Sequence, residues 1–144
     1  MKFGDLLTMF KHGKSGPSHI KNLVQMAAAD GKFLDAEKEL LKTIAKRNGI
    51  SENHLADIQK NPENVEFEVP KDDQQKFYQL YDLVQMMGID NHVHADEQDL
   101  ANVFAMKFGY KREIARELVD AIRQNIKNGS TPDEAMKRVQ IMIA

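Results

Sequence analysis

LVQMAAADGKFLDAEKELLKTIAKRNGIS, residues 23–51, and LVQMMGIDNHVHADEQDLANVFAMKFGYK, residues 83–111, are one twenty-nine-residue pattern read twice without a gap. Leu23-Val24-Gln25-Met26 returns unchanged as Leu83-Val84-Gln85-Met86. Asp30, Glu37, Leu40, Ala45 and Gly49 return as Asp90, Glu97, Leu100, Ala105 and Gly109. Such self-similarity marks an internal duplication of one helical unit. A repeated apolar residue needs only a core, whereas a carboxylate repeated in place raises the question of what it binds.

Working outward from the repeat, the apolar spacing is helical throughout. Ile20, Leu23, Val24, Ala27 and Ala28 form one buried stripe, with Ser18 as the expected cap and Asp30-Gly31 as the turn that ends the helix. The next helix starts near Asp35, turns Leu40, Leu41, Ile44 and Ala45 inward and stops at Asn48-Gly49; Ser51 caps a brief helix through Leu55 and Ile58. The second copy places Phe77, Leu80, Tyr81, Val84 and Gly88 on one helix and Leu100, Ala101, Phe104 and Phe108 on another, closed by Gly109. A further helix covers residues 111–127, and Thr131-Pro132-Asp133-Glu134 reads as a capping box with proline at the first helical position.

Between the copies, the prolines and the alternation Val65-Glu66-Phe67-Glu68-Val69 predict an extended connector that pins two or three apolar residues to the helices. At the start, Phe3, Leu6, Leu7 and Phe10 give a short amphipathic helix, followed by the loop-like Lys11-His12-Gly13-Lys14-Ser15-Gly16-Pro17. The expected fold is therefore all-α, a bundle of about seven to eight helices built from two tandem pseudo-symmetric repeats. Residues 1–16 are the N-terminal helix and linker. Residues 17–144 are the helical domain, with repeat one over about 18–60, repeat two over about 74–128 and a last helix over 131–143.

Composition narrows the function. A chain of 144 residues with 42% hydrophobic and 29% charged residues has the make-up of one globular domain that needs no staples. The formal charge of −2 gives no electrostatic footprint for nucleic acid, and the absence of cysteine removes disulfides, thiolate metal sites and thiol nucleophiles. The first ten residues carry charges within their apolar stretch, which is neither a signal peptide nor a membrane span, so the expected location is cytoplasmic. Gly13-Lys14-Ser15 lacks the glycine a phosphate loop requires at residue 8, where Thr8 stands. With no nucleophile or dinucleotide motif either, neither an enzyme nor a small-molecule substrate is expected.

The repeated carboxylates fall on the core side of their helices. Glu37 precedes Leu40, Leu41 and Ile44 by three, four and seven residues, and Glu97 stands in the same relation to Leu100, Ala101 and Phe104. Burying an ionised carboxylate alone costs several kcal/mol, so a compensating partner is required. One reading is local: both glutamates sit in a first helical turn, where backbone N–H groups and the helix dipole favour an anion, with Asp30 and Asp90 beside them. The other is a cation site, in which oxygens of Asp30, Glu37, Asp90 and Glu97 bind Ca²⁺, Mg²⁺ or Mn²⁺. The spacing matches neither an EF-hand nor the Glu-x-x-His of di-iron bundles.

The stretch Met26-Ala27-Ala28-Ala29-Asp30-Gly31-Lys32-Phe33-Leu34-Asp35-Ala36-Glu37-Lys38-Glu39-Leu40-Leu41, continued by Ile44-Ala45-Lys46-Arg47-Asn48-Gly49-Ile50, resembles the tellurite-resistance protein TerB and the TerB-like domains. The shared features are an Ala-Asp-Gly turn and an acid-rich helix start, and the resemblance covers roughly residues 18–128. It implies an all-helical, two-repeat, non-catalytic module of chemical-stress response, and it is similar to a region of membrane-anchored DnaJ-type co-chaperones. It further implies a divalent-metal site at Asp30, Glu37, Asp90 and Glu97, with Glu39 and Asp99 as weaker companions, and a protein partner that can be membrane-associated, at the inner membrane face. The second copy departs from the pattern: Asn91 replaces Gly31, Ile89 replaces Ala29, and His92 and His94 enter the loop as additional candidate ligands. The alternative from a different class is a metal-free helical scaffold that docks on a membrane protein or co-chaperone through the N-terminal helix.

Overall fold

The structure, a computed structural model of the 144-residue chain, describes residues 15–29, 34–88 and 95–143. Among these it is all-α, with seven helices: α1 (Ser15–Ala28), α2 (Asp35–Arg47), α3 (Glu52–Lys60), α4 (Asp73–Met87), α5 (Ala95–Lys107), α6 (Arg112–Lys127) and α7 (Pro132–Ile143). A 3₁₀ turn at Pro62–Asn64 follows α3. The helix expected around Phe3–Phe10 lies outside the described residues. The chain divides into two compact units, Met1–Val69 and Pro70–Ala144, which contain the similar stretches 23–51 and 83–111 respectively.

In the first unit α1 packs on α2 and α3, which also touch each other. Ile20, Leu23, Met26 and Ala27 of α1, Leu41, Ile44 and Ala45 of α2, and Leu55 and Ile58 of α3 make the core. Each large aliphatic side chain removed from water in this way contributes about 1.5–3 kcal/mol. The inward stripe of α1 is rotated relative to the sequence expectation: Val24 is half-buried and Ala28 exposed, while Met26 is fully enclosed. Leu40 of α2 is likewise only half-buried.

The expectation that Ser18 caps α1 is not met, because the helix begins three residues earlier. Ser18 lies fully buried inside it, and its hydroxyl accepts the Glu68 N–H at 2.8 Å. Lys21 Nζ donates to the Val65 carbonyl at 2.6 Å. The connector is therefore tied to α1 mainly by polar bonds to its backbone; Val65 and Phe67 are half-buried and Val69 is exposed.

In the second unit α4 is central, touching α5, α6 and α7. Nine of its fifteen residues are buried, which accounts for its weak amphipathicity. α6 is the opposite case, a clean stripe of Ala115, Leu118, Val119 and Ile122 at i, i+3, i+4 and i+7. The expected capping box at α7 is present, with Thr131 Oγ1 accepting from Glu134 N at 3.2 Å and Glu134 Oε1 from Thr131 N at 2.9 Å. The Glu134 carboxyl is held below its ordinary range chiefly by that backbone hydrogen bond.

The two copies end their second helix identically. Ile50 N–H bonds the Ala45 carbonyl and Tyr110 N–H the Ala105 carbonyl, at 2.9 and 3.1 Å, around Gly49 (φ 72°) and Gly109 (φ 101°). This six-to-one bond around a left-handed residue is the Schellman motif, and it accounts for the repeated glycine.

Candidate functional site

Glu37 and Glu97 are the third residues of α2 and α5, and each is only 3% exposed. Each unit thus has a carboxylate in the first turn of one helix, sixty residues apart in the chain and buried to the same extent. The weaker candidates behave differently: Glu39 and Asp99, also related by the repeat, are both exposed. Asp30, Asp90, His92 and His94 lie outside the described residues. Among the described residues no three His, Asp or Glu side chains are grouped as a metal site.

One compensating contact of Glu37 is a helix cap. The N-cap position of α2 falls at Leu34, whose side chain accepts nothing, and Glu37 Oε1 accepts the Leu34 N–H at 2.8 Å. That is the return half of a capping box, with an anion at the positive end of the helix. It engages one of the two carboxylate oxygens, Oε1.

Burial reveals polar residues that the sequence analysis passed over. Besides Ser18, Glu37 and Glu97, the enclosed polar side chains are His19 and Asn22 of α1 and Gln79 and Asp82 of α4, all at most 5% exposed. His19 and Gln79 are sixty residues apart, as are Asn22 and Asp82, the same offset that relates Glu37 to Glu97. Extending the repeat register a few residues upstream of Leu23 would have exposed the pattern, since it pairs polar with polar in the midst of an apolar stripe. Asn22 Nδ2 and Gln79 Oε1 are buried without a hydrogen-bond partner, as are Gln98 Nε2 and Asn102 Oδ1 of α5. Buried polar atoms of this kind are rare enough to require an explanation.

The second unit also has a groove of about 910 Å³ between the start of α4, the α5–α6 turn and α7. Phe77, Phe108, Ile114 and Val139 form its apolar lining, with Asp73 and Tyr110 at the polar edge. Burial, and then the Asp73 charge, raise the Tyr110 phenol above its ordinary value. Across the same unit the Tyr78 hydroxyl donates to Asp133 Oδ1, and this bond is the main cause of the raised Tyr78 phenol.

No protein-family model matches the chain, and neither a curated protein nor a solved structure does. No helix among the described residues is long and apolar enough to cross a membrane.

Proposed function

We propose that this chain is a non-catalytic, TerB-like module of chemical-stress response that binds a hard divalent cation, Ca²⁺, Mg²⁺ or Mn²⁺, and presents a protein partner with a cation-dependent surface. The observation that carries this reading is the matched burial of Glu37 and Glu97, at 3% exposure each, beside the exposed pair Glu39 and Asp99. A carboxylate at a partly apolar, enclosed position needs donors or a cation to compensate it, and both units keep one there. Glu37 and Glu97 are the candidate ligands, each within its own unit, with Asp30 and Asp90 as the turn residues that the sequence adds.

Thermal unfolding of chelator-treated protein tests the reading, because a liganded folded state unfolds at a higher midpoint. One of the three cations raises the midpoint of the wild type, and Glu37→Gln combined with Glu97→Gln removes the rise. An unchanged rise in the double variant, or none in the wild type, contradicts it.

The hydrogen bond from Leu34 N–H to Glu37 favours a second reading, a metal-free scaffold whose repeated acids cap helices and whose work is partner docking. On that reading cations leave the midpoint unmoved, whereas Glu37→Ala lowers it.

A further inference from the structure

Asparagine is followed by glycine twice in the chain, at Asn48-Gly49 and Asn128-Gly129. Asparagine is thermolabile, and a glycine after it has no side chain to shield the backbone nitrogen that faces the amide. Both pairs end a helix, Asn48 as the C-cap of α2 and Asn128 as the C-cap of α6, with the glycine at positive φ, 72° and 78°. Their backbones are bonded alike. Gly49 N–H donates to the Lys46 carbonyl and Gly129 N–H to that of Ile126, each at 3.1 Å, and the next N–H closes a Schellman bond, Ile50 to Ala45 and Ser130 to Asn125.

The side chains differ. Asn48 is half-buried, and its Nδ2 donates to the Ile44 carbonyl at 2.8 Å; because that acceptor is a carbonyl, only the nitrogen end of the amide faces it. Helix α1 lies beside it, so that a Cβ built on Gly16 would stand 3.9 Å from Asn48 Cβ. Asn128 is exposed, and its amide has one long contact, 3.4 Å, with the amide of exposed Gln124.

From this contrast we infer that Asn128 is a site of spontaneous deamidation to aspartate and isoaspartate, and that Asn48 is protected. When the last turn of α6 opens, hydroxide takes the proton of the Gly129 N–H and the nitrogen bonds to Asn128 Cγ. The Cγ–Nδ2 bond then breaks and ammonia leaves, taking its proton from water and returning the hydroxide. Water opens the resulting cyclic imide: cleavage at Cγ gives aspartate, and cleavage at the backbone carbonyl gives isoaspartate. At Asn48 the bond to Ile44 must break first. The product places a carboxylate at the negative end of α6, and isoaspartate adds a methylene to the backbone within the Ser130–Asn125 bond. The α6–α7 turn depends on that region, since Arg138 Nη1 donates to Asn125 Oδ1 at 2.8 Å and the Tyr81 hydroxyl to the Ser130 carbonyl at 3.4 Å. Modification therefore loosens the turn that carries α7. The inference is independent of the cation reading.

Ageing of the full chain in mildly alkaline buffer, followed by peptide mapping with mass spectrometry, tests it. The peptide holding Asn128 converts to the acid about fivefold faster than the one holding Asn48, the factor that one net hydrogen bond represents in a rate. In concentrated denaturant the two rates converge, because each asparagine then precedes an unshielded glycine nitrogen. Amide exchange at Ser130 quickens in the aged protein. Equal rates in the folded chain, a faster Asn48, or a ratio that survives denaturation overturns the assignment; unchanged exchange at Ser130 overturns the loosening of the turn.

Discussion

Helices α1 and α4 carry the same four residues at the same place, and their surroundings treat them differently. Leu23 and Leu83 are fully buried, as are Met26 and Met86; Val24 is half-buried where Val84 is enclosed, and Gln25 is exposed where Gln85 is partly covered. The cause is the number of neighbours within each unit. α1 is packed by α2 and α3, whereas α4 is packed by α5, α6 and α7. Identical sequence thus fixes the inward positions of a helix, and the elements added around it decide how much of the rest is covered.

The largest effects that test this comparison are in the cores. Leu23→Ala and Leu83→Ala each cost about 2–5 kcal/mol in denaturant unfolding, with similar values for the two because both side chains are fully enclosed. Val84→Ala costs more than Val24→Ala; equal costs would break the argument from neighbours. At intermediate size, Glu37→Ala removes the acceptor of the Leu34 N–H and costs about 1 kcal/mol, and Glu37→Gln, which keeps an oxygen there, costs less. Gly49→Ala and Gly109→Ala each cost about 1 kcal/mol through the left-handed backbone alone, since nothing lies within 4 Å of an added Cβ at either site. A markedly larger penalty at one of them would mean that the two copies do not share their helix ending.

The smallest effect separates the units by pH. All three tyrosines, Tyr78, Tyr81 and Tyr110, belong to the second unit, and all three phenols are raised: Tyr78 chiefly by its bond to Asp133, the other two by burial. A raised phenol favours the neutral form in the folded protein. Its contribution is complete below the ordinary value of about 10 and declines as pH rises through the shifted one. Tyrosine absorbance therefore reports alkaline loosening of the second unit alone, and Tyr78→Phe reduces the decline. An unchanged alkaline limb in Tyr78→Phe would show that its bond to Asp133 contributes nothing.

Much of the fold was readable because its signals are local. The boundaries of α2, the cap at Ser51, the box at Thr131 and the closing glycines each depend on a few adjacent residues and all appear where expected. Ser18 misled because its partner is Glu68, fifty residues away, and a serine beside a helical stripe looks like a cap whatever its hydroxyl touches. For the site, position in the stripe was enough to place Glu37 and Glu97 toward the core. His19, Asn22, Gln79 and Asp82 were missed because single polar residues in an apolar stripe carry no signal until the repeat register sets them in pairs. Glu39 and Asp99 show the converse: helical spacing alone distinguishes them from Glu37 and Glu97, and they face solvent.

The most direct test of the central claim is to locate the ion. Mn²⁺ is a hard cation whose paramagnetism broadens nearby nuclear resonances, so titrating it at substoichiometric levels into ¹⁵N-labelled, chelator-treated protein maps its position. The account predicts broadening centred on the first turns of α2 and α5, around Glu37 and Glu97, abolished by excess Mg²⁺ or Ca²⁺ or by Glu37→Gln combined with Glu97→Gln. Broadening confined to exposed carboxylates such as Glu39 and Asp99, or none at equimolar Mn²⁺, would contradict it and leave the buried glutamates as helix caps.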